Sequence, residues 1–113
     1  MDVATLREIF RNFRQWESLR ETESLDTICG PDGEEYNFHD VKFLYENLHV
    51  LPKRQAEAIR LYLIENMRER DAAVKMGLSP TNPVGMYAST GLTKLIDLNE
   101  RGMIPRFRVI VSG

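Results

Sequence analysis

The stretch Val84 to Leu95, VGMYASTGLTKL, sets aliphatic hydroxyls among small and apolar side chains. Ser89, Thr90 and Thr93 can each donate and accept a hydrogen bond, so they suit a partner whose edge offers both kinds of group, as a base does in the DNA major groove. Met86 and Tyr87 can touch thymine methyls. The candidate base-contacting set is Gly85, Met86, Tyr87, Ser89, Thr90 and Thr93. Other chemistries lack their residues. No Ser, His and acid set, no phosphate-cradling glycine loop and no carboxylate pair stands at catalytic spacing, and no enzyme is expected. His39 and His49 are too far apart for a helical metal pair, and Asp32, Glu34 and Glu35 do not make the EF-hand loop pattern. Cys29 is the only cysteine, a small apolar filler, which leaves no internal disulfide and no Cys-based zinc site. No metal and no cofactor are expected.

Those residues need a helix to present them, and the chain reads as mainly α, with five helices. From Val3 to about Arg20, Leu6, Ile9, Phe10, Phe13, Trp16 and Leu19 recur at helical spacing and predict one amphipathic helix. Pro31, Asp32 and Gly33 then make a turn. Asp26 to Cys29 and Glu35 to Phe38 read as a small hairpin around it, with a plain loop as the alternative. Asn37 caps a second helix reaching about His49, with Val41, Leu44, Tyr45 and Leu48 on its buried side. Pro52 suits the first turn of a third, to about Glu65, and Asn66 stands where a left-handed cap belongs. A fourth helix, from about Arg68 to Met76, ends at Gly77. A fifth, capped by Thr81 or Asn82 with Pro83 in its first turn, carries an apolar stripe of Val84, Ala88, Leu92 and Leu95. From Gly102 on, the pattern reads as an extended tail.

Two short helices joined by a tight turn, the second led by polar side chains, are the parts of a helix-turn-helix. Ala73 falls where the first must approach the second, Gly77 where the chain must turn, and Val84 where the second must plug into the core. The segment from Leu51 to Leu95 resembles region four, the last DNA-reading domain of bacterial sigma factors and related phage and bacterial regulators. The landmarks are Leu51-Pro52, Arg54-Gln55, Ala58-Ile59-Arg60-Leu61, Asn66-Met67, Glu69 with Ala72-Ala73, Met76-Gly77-Leu78-Ser79, Val84, and Leu92-Thr93-Lys94-Leu95, in that order. The turn at Ser79 to Pro83 is about one residue longer than is usual in that family, and Gly85 to Thr90 lacks the Arg and Lys that relatives often carry there. The resemblance implies a sequence-specific DNA-binding regulator of phage or bacterial type, with the fifth helix in the major groove. It implies phosphate contacts from Lys53, Arg54, Arg68, Arg70 and Lys94, and a basic tail of Arg101, Arg106 and Arg108 adding backbone or minor-groove contacts.

Three regions follow: 1–50, helical and a candidate oligomerisation region; 51–100, the helix-turn-helix; and 101–113, the tail. Residues 1–50 hold 5 Lys/Arg against 11 Asp/Glu, and residues 51–113 hold 10 against 6, so the second half is the one expected to approach phosphates. The expected partners are double-stranded DNA and a second copy of the chain through the N-terminal helix; the Phe10, Phe13 and Trp16 stripe reads first as core and alternatively as that oligomer interface. Two other readings stay open. One is docking on RNA polymerase, a second use of region four; the other is a phage small terminase subunit, which joins a helix-turn-helix to an oligomerising helix. The charged N-terminus has neither the apolar run of a signal peptide nor that of a membrane span, so a cytoplasmic protein is expected.

Overall fold

The computed structural model describes residues 1–105, and the Arg106 and Arg108 expectations lie outside them. It is mainly helical. Six helices, α1 (Val3–Arg11), α2 (Phe13–Glu23), α3 (Phe38–Glu46), α4 (Lys53–Ala58), α5 (Glu69–Lys75) and α6 (Val84–Glu100), surround one core, with a hairpin of β1 (Thr27–Cys29) and β2 (Glu35–Asn37) between α2 and α3.

The first helix of the sequence reading is in fact two. Asn12 breaks it, at φ −107° and ψ 14°, and its side-chain amide donates to the Glu8 carbonyl at 2.9 Å. That carbonyl would otherwise belong wholly to the helical ladder, so the short amide competes with the backbone and turns the chain. The turn lets Leu6, Ile9 and Phe10 of α1 and Phe13 of α2 all reach the interior. There Phe13 stacks on Tyr45 at 4.5 Å and on Phe38 at 5.9 Å, while Phe10 meets Phe13 edge-on at 6.2 Å. Each such pair adds about 0.5–1.5 kcal/mol beyond its buried area. Phe10 and Phe13 are therefore part of the chain's own core, the first of the two readings the sequence offers for this stripe.

The hairpin forms where Pro31, Asp32 and Gly33 predict it. Ile28 pairs with Tyr36 in antiparallel register and is fully buried. Gly33 takes φ 82°, which is costly for any residue with a Cβ. Asn37 then caps α3, its side chain accepting from the His39 N–H at 2.8 Å. Instead of continuing to His49, α3 ends at Glu46 and a 3-10 turn, Leu48–Val50, carries the chain to Pro52. Pro52 occupies the cap position of α4, one place before the first turn.

Beyond Ala58 the third predicted helix changes winding. Ile59–Ile64 is a π-helical segment, with the Glu65 N–H on the Arg60 carbonyl at 2.9 Å. Asn66 follows at φ 55°, the left-handed conformation its type predicts, and its side-chain amide donates to the Arg11 carbonyl at 2.8 Å. Gly77 ends α5 at φ 77°, with the Leu78 N–H returning to the Ala73 carbonyl at 2.9 Å. These bonds satisfy carbonyls that the helix ends leave open.

The last helix is the centre of the molecule. It packs against α1, α4, α5 and the π segment, and Val84, Ala88, Gly91, Leu92 and Leu95 are buried there. Gly102 then closes α6 at φ 67°, and Ile104 returns to the core at 2% exposure. One apolar cluster runs from Leu6 to Ile104, so regions 1–50 and 51–100 share their interior.

Candidate nucleic-acid interface

The pair α5 and α6 is joined by Met76 to Pro83. Ala72, Ala73 and Val84 are fully buried where the two helices meet, as close approach requires. Neither Thr81 nor Asn82 caps α6 as expected. Asn82 instead holds the turn, its amide donating to the Ser79 carbonyl at 3.2 Å and its Oδ1 accepting from the Tyr87 hydroxyl at 3.3 Å. The cap comes from the preceding helix: Glu69 Oε2 accepts the Gly85 N–H at 2.6 Å. A carboxylate at a helix N-terminus satisfies an orphan donor and complements the positive end of the helix dipole.

The six candidate base-contacting residues divide by their place around α6. Met86, Thr90 and Thr93 lie on its outward face, and Met86 is 65% exposed. Tyr87 lies on one edge, beneath the Arg54 guanidinium at 5.7 Å from its ring centre. Ser89 lies on the other edge, where its Oγ accepts from Arg7 Nη2 of α1 at 2.6 Å. Gly85 is turned toward the packing, and a Cβ there would stand 2.9 Å from Glu69 Oε2 and 3.4 Å from the Tyr62 ring. The outward face is thus narrower than the full set.

The candidate phosphate-contacting residues also divide. Arg68, Arg70 and Lys94 are exposed and have no ion-pair partner among the described residues. Lys53 stands 3.8 Å from Glu57, and Arg101 stands 3.2 Å from Asp97 on the last turns of α6. Both are i,i+4 contacts at the surface, with Glu57 half-buried and the other three groups exposed, and such pairs hold their charges only weakly.

Sequence reasoning missed the contribution of α1. Val3 shares a shallow cleft with Thr93 and Ile96, Arg7 reaches Ser89, and Arg11 lies 4.8 Å over the Tyr62 ring beside Gly85, so α1 runs antiparallel along α6. The spacing of Arg7 and Arg11 was the available signal. It was hidden by the acidic sum over residues 1–50.

Elsewhere a cleft of about 490 Å³ opens between α3 and the far end of α6, with Asp40 and Glu100 in its wall. Among the described residues no group of His, Cys, Asp and Glu side chains could hold a metal ion, and no helix is long and apolar enough to cross a membrane.

The fold and this surface define a mainly α protein in which a short helix, a tight turn and a longer helix follow one another from Glu69 to Glu100. No family model matches the chain, and neither a curated protein nor a solved structure matches it significantly.

Proposed function

We propose that the chain is a sequence-specific DNA-binding protein of the helix-turn-helix kind, a transcriptional regulator of phage or bacterial type. The observation that carries this reading is the outward face of α6, where Met86, Thr90 and Thr93 follow the Gly77 turn and stand clear of the core. An α-helix fits the major groove, where hydroxyls can address base edges and a methionine can lie against thymine methyls. Arg68, Arg70 and Lys94 would then fix the position of α6 by phosphate contacts that carry no sequence information.

The test is retention of duplexes from a random-sequence pool at two salt concentrations, followed by sequencing. A recovered motif supports groove reading. Retention without a motif rejects the sequence-specific part, and no retention at either salt rejects the reading.

One observation favours a second use. Val74 of α5 and Met86 of α6 are 57% and 65% exposed, which gives the helix pair apolar area that a protein partner such as RNA polymerase could cover. Direct binding to purified polymerase, lost on Val74→Asp, distinguishes that use.

A further inference from the structure

The acidic first half of the chain carries its arginines in a pattern that its net charge conceals. Arg7 and Arg11 are four residues apart on α1, hence neighbours on one helix face. Their counterparts are Ser89 and Gly85, also four apart, on the antiparallel α6. Arg7 donates to Ser89 Oγ at 2.6 Å, and Arg11 lies over the Tyr62 ring that packs beside Gly85. Among the described residues neither guanidinium has an ion-pair partner, whereas Arg14, further along, is paired with Glu65. A guanidinium carries five N–H donors. Ser89 occupies one nitrogen of Arg7, and the Tyr62 ring engages Arg11 through its face, so both retain charge and donors.

The opposite edge of α6 is similarly furnished, by Arg54 over Tyr87. Met86, Thr90 and Thr93 therefore lie between two cationic edges, one supplied by α4 and one by α1. A groove presents that pattern in reverse, with base edges between two phosphate-lined strands.

We propose that Arg7 and Arg11 of the first helix contact backbone phosphates on the Ser89 edge of α6, so that the nucleic-acid surface extends beyond the helix-turn-helix onto α1. This rests on the DNA-binding reading and adds a contact surface to it. Arg7 also positions Ser89, holding its hydroxyl at the edge of the face.

The experiment measures affinity of the full chain for random-sequence duplex DNA over a salt series. Each lost phosphate contact lowers the slope of log K against log salt by about 0.9. Arg7→Gln and Arg11→Gln should each flatten the slope by about that amount, and Arg7→Lys and Arg11→Lys, which keep the charge, should restore it. Arg14→Gln should leave it unchanged. A role in folding alone would lower the melting temperature without changing the slope. Arg11→Gln keeps the test decisive if Arg7→Gln unfolds, because among the described residues the Arg11 side chain makes only the ring contact. Binding by the parent chain with unchanged slopes in the Gln variants overturns this inference and leaves the DNA reading standing. No binding by the parent chain overturns both.

Discussion

Glu69 caps the helix after its own: its carboxylate accepts the Gly85 N–H at 2.6 Å across the turn that separates α5 from α6. This bond ties the relative placement of the two helices to the start of the second. Glu69→Ala should cost about 1 kcal/mol, the usual loss for an N-terminal cap. In a chain of this size that is a fall of roughly 4 °C in the melting temperature, readable by circular dichroism. Glu69→Gln keeps an acceptor and should lose less. Equal losses would show that charge, rather than the hydrogen bond, dominates.

Gly91 lies where α6 crosses α4. A Cβ there would come 2.9 Å from Ile59 Cδ1 and 3.1 Å from Gln55 Cβ. Gly91→Ala gains about 1 kcal/mol of helix propensity but overfills the contact, at a cost of about 1–3 kcal/mol. Net destabilisation is expected in a denaturant titration. Adding Ile59→Val removes the closest methyl and should recover part of the loss, so the two changes are expected to be non-additive.

Asp32 and Tyr36 fasten the hairpin. The Tyr36 hydroxyl donates to Asp32 Oδ2, and the Glu34 N–H donates to Asp32 Oδ1 at 3.1 Å. The bond from Tyr36 holds the Asp32 carboxyl below its ordinary value, with the Glu34 amide adding to it. The same bond to Asp32 is the main cause that pushes the Tyr36 phenol up to about 12. A lowered carboxylate stabilises above its unfolded pKa and loses that contribution as pH falls through the folded one. A raised phenol stabilises below its unfolded pKa and loses that contribution as pH rises toward about 12. The pair should therefore support the hairpin from about pH 4 to about pH 10, the ordinary values of the two groups. Phenolate absorbance should show one tyrosine titrating late, and Tyr36→Phe should remove that component. A single titration step unchanged by Tyr36→Phe would reject the bond.

Contacts with bases and with phosphates should separate in one binding series. Thr90→Ala should change which duplexes are enriched from a random pool, because Thr90 belongs to the outward face of α6. Arg70→Ala should weaken all duplexes alike and flatten the salt slope by about 1. Sequence-blind losses from both variants would refute this division.

The helical frame was legible wherever a residue's own chemistry decides its backbone. Asn66 and Gly77 take positive φ as their types predict, Asn37 caps α3, and Pro31-Asp32-Gly33 closes the hairpin. What stayed hidden depends on partners remote in sequence. Asp or Asn at a helix start is a local signal, but Glu69 caps α6 from 16 residues away. Asn12 lies inside an apolar stripe whose period continues through it, so the break leaves no mark on the pattern. Charge summed over residues 1–50 says nothing about which side of α1 its arginines occupy. The same limit explains why the Phe10 and Phe13 stripe reads either as core or as an oligomer face: periodicity shows that a face is buried, not what buries it.

The π winding of Ile59–Ile64 has a geometric consequence for the edge of α6 that carries Tyr87. Each residue added to or removed from an α-helix turns everything beyond it by about 100°. The widened turn accommodates an additional residue between the part of this rod that packs on α1 and the part that packs on α4's side of α6. Wound as a regular α-helix, the same residues would swing Arg54 and Gln55 about a quarter of a circle relative to the residues beyond Ile64. Arg54 would leave the Tyr87 ring, and the wall that accommodates Gly91 would turn away with it. The phase of the rod, fixed by a single surplus residue, decides which side chain stands guard over that edge.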